Sequence, residues 1–500
     1  MPDELKTSPS GSEDRRVTVP PRRAARLLAA FLTCAALALY GATLGAGTAS
    51  AQSAFTFSGG GYGHGVGMSQ WGARGMAAAG NGYGQILGHY YSGSTVAARG
   101  VSDDLKVLIA EKSATFTLVT GGTTSILGIG TVGAGATITM TRSGANMVIS
   151  GALSATVGGP VLVQYAGAGD LRVSPPGYSY RYGILAVGPD AAGGLRGVIG
   201  GLGMQQYLYG LGEMPSSWPA EALKAQATAS RTFAQKRRDG RTTADFDLYG
   251  SVLHQAYTGT KYQVPAWTGA VDATSGKVVT YGGALIDAVY SASSGGYTEN
   301  SEVVWVSAVP YLRGVPDPYD VGGGNPNGAW SRTYTGAQLG AWFGLGTVTS
   351  VQIIGPLGVS GRVDKATVRL TGSGGTKDVS GTSFRSTVNA NSPGSPLLST
   401  KFAVGAAASS GLPTGGVHTA YADGRTIIIG GTANDPDGAP LVRVVSTMGS
   451  MTATRETRAV NGSFLVTWTG DPGTRNVCVT VLDTPTAQGV SLGCRDVVVK

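Results

Sequence analysis

Apolar and small polar residues alternate through most of residues 105–187, as in Phe116-Thr117-Leu118 and Thr137-Ile138-Thr139-Met140. A period of two puts one apolar face on a pleated strand, and the glycine-rich breaks between runs supply turns. A set of strands is therefore expected there. Similar text returns over 250–400, with Pro/Gly loops gathered at 316–327. Short apolar runs at 426–429, 441–446, 462–469, 477–482 and 494–499 predict a small Ig-like β-sandwich over 417–500. The small residues of 404–416 read as a linker in front of it.

Two segments depart from that rhythm. Residues 76–91 fit one short helix. Residues 219–238 fit a longer one: Pro219 suits a first turn, and Glu221 complements the positive end of the dipole. Leu223, Ala227, Ser230 and Ala234 share one face, and Lys236, Arg237 and Arg238 fill the last turn before Gly240. The alanine-rich face implies close packing on a neighbour. The fold class is thus α+β, strand-rich, with one prominent helix.

Composition narrows the picture further. The 500 residues include 81 glycines and only 13% charged residues, which excludes a helical bundle or coiled coil. A hydrophobic share of 42% excludes global disorder. Some of the glycines are expected to mark a place where backbone approaches a ligand.

The first 51 residues read as a signal peptide. Five arginines between 15 and 26 precede an apolar run at 27–39, and Ala49-Ser50-Ala51 offers a cleavage site before Gln52. The run is shorter than the ~20 residues of a membrane span, so no stable span is expected after cleavage. The product would be secreted to the cell wall or extracellular space. Removal of this segment lowers the net charge from +8 to +6, a modest excess that suits an anionic wall polymer or membrane surface. No basic cluster interleaved with aromatics points to nucleic acid. Two cysteines remain, Cys478 and Cys494, either as a disulfide across an antiparallel pair or as two free thiols.

Several chemistries find no support. There is no Walker A sequence and no G-x-G-x-x-G register at 59–67, and four histidines leave little for a metal cage. Two stretches remain. Residues 59–73 alternate glycine with Tyr62, His64, Ser69, Gln70 and Trp71, a pattern that brings backbone close to a ligand while side chains project. As a rival, it is a glycine-rich surface loop. Residues 207–219 hold Glu213 beside Leu211, Met214 and Trp218. A carboxyl so surrounded is desolvated, which raises its pKa and suits a proton donor. Its rival is a solvated loop glutamate.

At these residues the sequence resembles the stage II sporulation protein D family (SpoIID/LytB). The resemblance rests on the EMP-SSWPAEALKAQA run from Glu213, the SSGGYTENSEVVW run from Ser293, residues 361–402, and GHGVGMSQ at 63–70. It implies a SpoIID-like domain over 52–403, with a strand-rich insert at about 105–175. It also implies an exported lytic transglycosylase of peptidoglycan glycan strands, with Glu213 catalytic. His64, Ser69, Gln70, Tyr62, Trp71, Trp218, Ser293 and Ser294 would bind the glycan, with no cofactor. The alternative is a non-catalytic glycan-binding protein that enhances a cell-wall amidase.

Three departures from the family pattern carry expectations. GHGVGMSQ precedes the other motifs here instead of following them, so the domain looks circularly permuted. Phe55 and Phe402 should then lie close together, with His64 within reach of Glu213. Residues 245–257 contain Tyr249 and His254 but no cysteine, so the zinc of some relatives is not expected. Finally, Ser291 stands where relatives often carry a histidine.

Overall fold

The computed structural model describes residues 54–165, 167, 169–241, 245–321, 324–405, 413–435, 439–460, 462–482 and 489–500. The signal-peptide expectation at 1–51 lies outside them. The architecture is α+β and strand-rich, with a β-rich C-terminal region.

The long helix forms at Ala220–Asp239, and 13 of its 20 residues are buried. It carries alanines at 222, 225, 227, 229 and 234, which let neighbours approach closely: Gln70–Ala78, Tyr83–Tyr90, Pro265–Ala273 and the strand Lys277–Tyr281. Arg231 is fully buried among them. Its Nη1 and Nη2 donate to the carbonyls of Lys277 and Val271 at 3.1 and 3.0 Å, tying helix to helix and strand.

Residues 76–91 form two helices, not one. Gln70–Ala78 begins earlier, because the Ser69 hydroxyl caps it by accepting from Gly72 N–H. It ends at Gly80, whose φ of 89° no helix continues, and Tyr83–Tyr90 starts afresh. Helices Pro265–Ala273, Gly336–Phe343 and Gly381–Asn391 also interrupt the region read as strands.

The alternating text of 105–187 becomes a six-stranded and a seven-stranded sheet. The seven-stranded sheet runs on through Ile184–Pro189 and Leu195–Leu202. Val107, Phe116, Leu118, Met140, Val163 and Leu185 join the same core as the long helix.

A second core gathers Phe55, Phe57, Trp330, Tyr334, Phe343, Phe384 and Phe402. At its centre, strand Ala54–Gly59 pairs antiparallel with both Trp330–Thr335 and Phe402–Gly405, with Gly59 opposite Phe402. Phe55 and Phe402 therefore share one core, the proximity expected of them.

The C-terminal region forms two antiparallel sheets of three and four strands over an aliphatic core. The five expected runs are strands, joined by Thr414–Asp423 and Met451–Arg458. The first of these takes over the end of the 404–416 linker, whose residues 406–412 lie outside the described ones. Cys478 and Cys494 face each other across adjacent strands and are disulfide-bonded. No helix among the described residues is long and apolar enough to cross a membrane.

Candidate active site

The glycine run folds as a chain of left-handed turns. Gly61, Gly63, Gly65 and Gly67 have φ of 83°, 97°, 75° and 72°. Space demands glycine as well: a Cβ on Gly65 would sit 2.4 Å from the Arg362 guanidinium, and one on Gly67 2.2 Å from the Val289 carbonyl. Arg362 is fully buried beneath the loop and donates from Nη1 to Gly63 O at 2.9 Å. So anchored, the loop presents Tyr62 and His64.

His64 Nδ1 accepts from the Val66 N–H at 3.0 Å, which leaves Nε2 as the donor of the neutral ring, toward the Tyr290 carbonyl. Burial, followed by the nearby Arg362 charge, lowers its pKa to about 4, so His64 is neutral at physiological pH.

Glu213 stands in the loop between helices Met204–Tyr209 and Ala220–Asp239. Burial raises its pKa, opposed by the Ala256 N–H at 2.6 Å, the Tyr290 hydroxyl and Gln70. Gln70 Nε2 also donates to the Glu213 main-chain oxygen at 3.0 Å and to Gln226 Oε1 at 3.2 Å. Burial, and then the Glu213 charge, push the Tyr290 phenol well up, so it stays a donor. Its oxygen accepts from Gln255 Nε2 at 2.9 Å, and Gln255 Oε1 accepts from Tyr207 at 2.8 Å. The carboxyl is thus held by a relay of buried groups.

These residues open onto a cleft of about 820 Å³. Tyr62, His64, Gln70, Glu213 and Tyr290 form part of its lining, with Phe233, Arg237, His254, Trp305 and Arg385. Among the described residues, Glu213 is the one acidic side chain lining it. His64 and Glu213 share the cleft although their motifs lie far apart in sequence.

Other expected glycan contacts lie elsewhere. Ser69, Ser293 and Ser294 are almost fully buried, so they are not placed to touch a glycan. Ser69 and Ser293 donate to Asp320 at 2.6 and 2.7 Å, and Ser294 donates to Asp317 at 2.8 Å. Two buried carboxylates need such donors, which explains the serine-rich run. Tyr90 joins Asp317 at 2.9 Å. Trp71 and Trp218 pack edge-to-face at 4.9 Å under Arg74, outside the cleft lining.

Tyr290, Gln255, Arg237, Trp305 and Arg385 were not legible as site residues. They lie in separate segments with no local motif that marks them. His254 accepts at Nδ1 from Tyr249 N–H at 3.1 Å, and no three metal-ligating side chains converge among the described residues. A second groove of about 500 Å³ lies over the seven-stranded sheet; its charged lining is Lys106 and the paired Arg196 and Asp245.

Comparison with known proteins finds a shared segment around Glu213. The profile of the family described as Stage II sporulation protein (SpoIID) matches residues 194–281. The Amidase enhancer of Bacillus subtilis (strain 168) is 42% identical over 130 residues, 25% of this chain and 16% of that protein. Stage II sporulation protein D of the same organism is 36% identical over 153 residues, 27% of this chain and 44% of that protein. The counterpart in Bacillus amyloliquefaciens is 35% identical over 139 residues, 23% and 39% of the two chains. The matched part of this chain spans less than half the length of these relatives. Glu213 and the helix behind it fall inside the family segment, and through that segment the chain belongs to the SpoIID family.

Proposed function

We infer that this protein is an exported lytic transglycosylase. It cleaves the bond between N-acetylmuramic acid and N-acetylglucosamine in glycan strands stripped of stem peptides. One observation carries the reading: among the described residues Glu213 is the one acidic side chain lining the cleft, and burial raises its pKa. Protonated Glu213 donates to the glycosidic oxygen as the bond to the muramic anomeric carbon breaks. The resulting carboxylate then accepts the proton of the muramic C6 hydroxyl, whose oxygen bonds to that anomeric carbon. The products are a 1,6-anhydromuramic end and a free N-acetylglucosamine 4-hydroxyl. Because the nucleophile comes from the substrate, one protein carboxyl suffices, unlike the pair of ordinary glycosidases.

The relative named Amidase enhancer favours a second reading, in which the cleft holds glycan without cutting it and the protein assists a cell-wall amidase. Incubation with denuded strands and mass spectrometry of the products separates the two. Wild type should yield 1,6-anhydro ends, and Glu213→Gln at least about a hundredfold fewer. Equally empty profiles would leave the binding reading.

A further inference from the structure

Two arginines enter the cleft from different parts of the chain. Arg237 comes from the last turn of the long helix, and Arg385 from Gly381–Asn391. Elsewhere arginines meet carboxylates: Arg181 with Asp170, Arg313 with Glu302, Arg369 with Asp378. Among the described residues these two form no ion pair. Arg237 stacks over Phe233 at 5.0 Å. Arg385 is fixed by the carbonyls of Leu397 and Leu398, each at 2.9 Å, and the charge of Asp364 acts on it from outside the cleft lining. The one carboxyl in the lining, Glu213, must be protonated to act as an acid. Neither guanidinium therefore has an ion-pair partner among the residues lining the cleft.

A muramic residue carries a lactyl ether at C3. Its carboxyl is an anion when free and a neutral amide when a stem peptide is attached. We propose that Arg237 and Arg385 bind this lactyl carboxylate and thereby select peptide-free muramic residues. Guanidinium–carboxylate hydrogen bonds are among the stronger polar contacts, and an amide in the same place forfeits the charge. The assignment rests on the glycan-cleft reading above, but it concerns binding and not bond cleavage.

The test is calorimetric titration with three ligands: the disaccharide N-acetylglucosaminyl-N-acetylmuramic acid, its lactyl methylamide, and diacetylchitobiose. None of these contains the bond to be cut, so turnover does not intrude. Wild type should bind the free acid at least about tenfold more tightly than either neutral ligand, about 1.4 kcal/mol. Arg237→Gln should bring the ratio near one, and Arg237→Lys should restore part of it. If Arg237 serves only to complement the helix dipole, Arg237→Gln lowers the melting temperature and leaves the ratio unchanged, which overturns the proposal. Equal wild-type affinities for acid and methylamide, or no binding of either, also overturn it. Acid-selective binding by a protein that makes no anhydro ends would instead sink the lytic reading alone.

Discussion

Gln70 donates to the main-chain oxygen of Glu213 at 3.0 Å across 143 positions of sequence, joining the glycine loop to the acid it faces. The same amide holds Gln226, which is fully buried. Gln70→Ala leaves both acceptors short of a donor in a dry place. The expected loss is about 1–3 kcal/mol of unfolding free energy in urea. Displacement of the Glu213 loop should also cut kcat on glycan about tenfold or more. Unchanged stability and rate together would show that the contact matters to neither.

Tyr290 governs the pH profile. Its hydroxyl donates to Glu213 and favours the ionised carboxylate, partly opposing the effect of burial. On the lytic reading proposed above, the acid form is needed for cleavage, so the rate should fall as pH rises through the Glu213 pKa. Tyr290→Phe removes a donor to the anion, and that fall should move to higher pH. Rate measurements from pH 4 to 8 check this, and a shift to lower pH contradicts it.

Gly65 tolerates no side chain. Its φ of 75° and the 2.4 Å approach to Arg362 act together. Gly65→Ala should destabilise the protein by at least about 2 kcal/mol. Gly80, which also has a positive φ of 89° but nothing within 4 Å, isolates the backbone share. Gly80→Ala should cost only about 1–2 kcal/mol. Equal losses at the two sites would refute the crowding argument.

Asp317 links stability to pH. Burial, followed by the charge of Asp320, raises its pKa from the ordinary 3.8 to about 6. A raised carboxyl pKa means that the folded state binds the proton more tightly. Its contribution is complete below about pH 4 and is lost as pH rises through about 6, a change of about 3 kcal/mol. Asp317→Asn should flatten this slope in urea midpoints measured at pH 4.5 and 7.5. A variant that keeps the full wild-type slope would place the linkage elsewhere.

Local signals proved legible where they were strong and mutually consistent. The helix at Ala220–Asp239 lies within a residue of its expected bounds, because Pro219, the basic last turn and Gly240 agree. Shorter helices hid in apolar text, as with Gly336–Phe343, which Thr335 caps and whose third residue, Gln338, completes the capping box. Periodicity over so few residues does not separate helix from buried strand. At the site, Glu213 was legible because its motif is contiguous. Ser293 and Ser294 misled, since a hydroxyl written beside glycines serves a buried aspartate as readily as a sugar. Arg237 showed its helix position but not its exposure to the cleft, which depends on what lies opposite.

The strand Ala54–Gly59 has a consequence for how the protein is made. Both partners of this strand emerge from the ribosome far later, and the Ser399 hydroxyl that holds the Gly60 carbonyl is 339 positions away. Contacts of such long range form slowly and late. Until then Phe55 and Phe57 belong to an unpaired edge exposed to association with other chains. The wall carrying Tyr62 and His64 is consequently among the last parts to be set. A chain interrupted before residue 399 holds Glu213 but lacks the Ser399 and Phe402–Gly405 contacts that anchor the glycine loop.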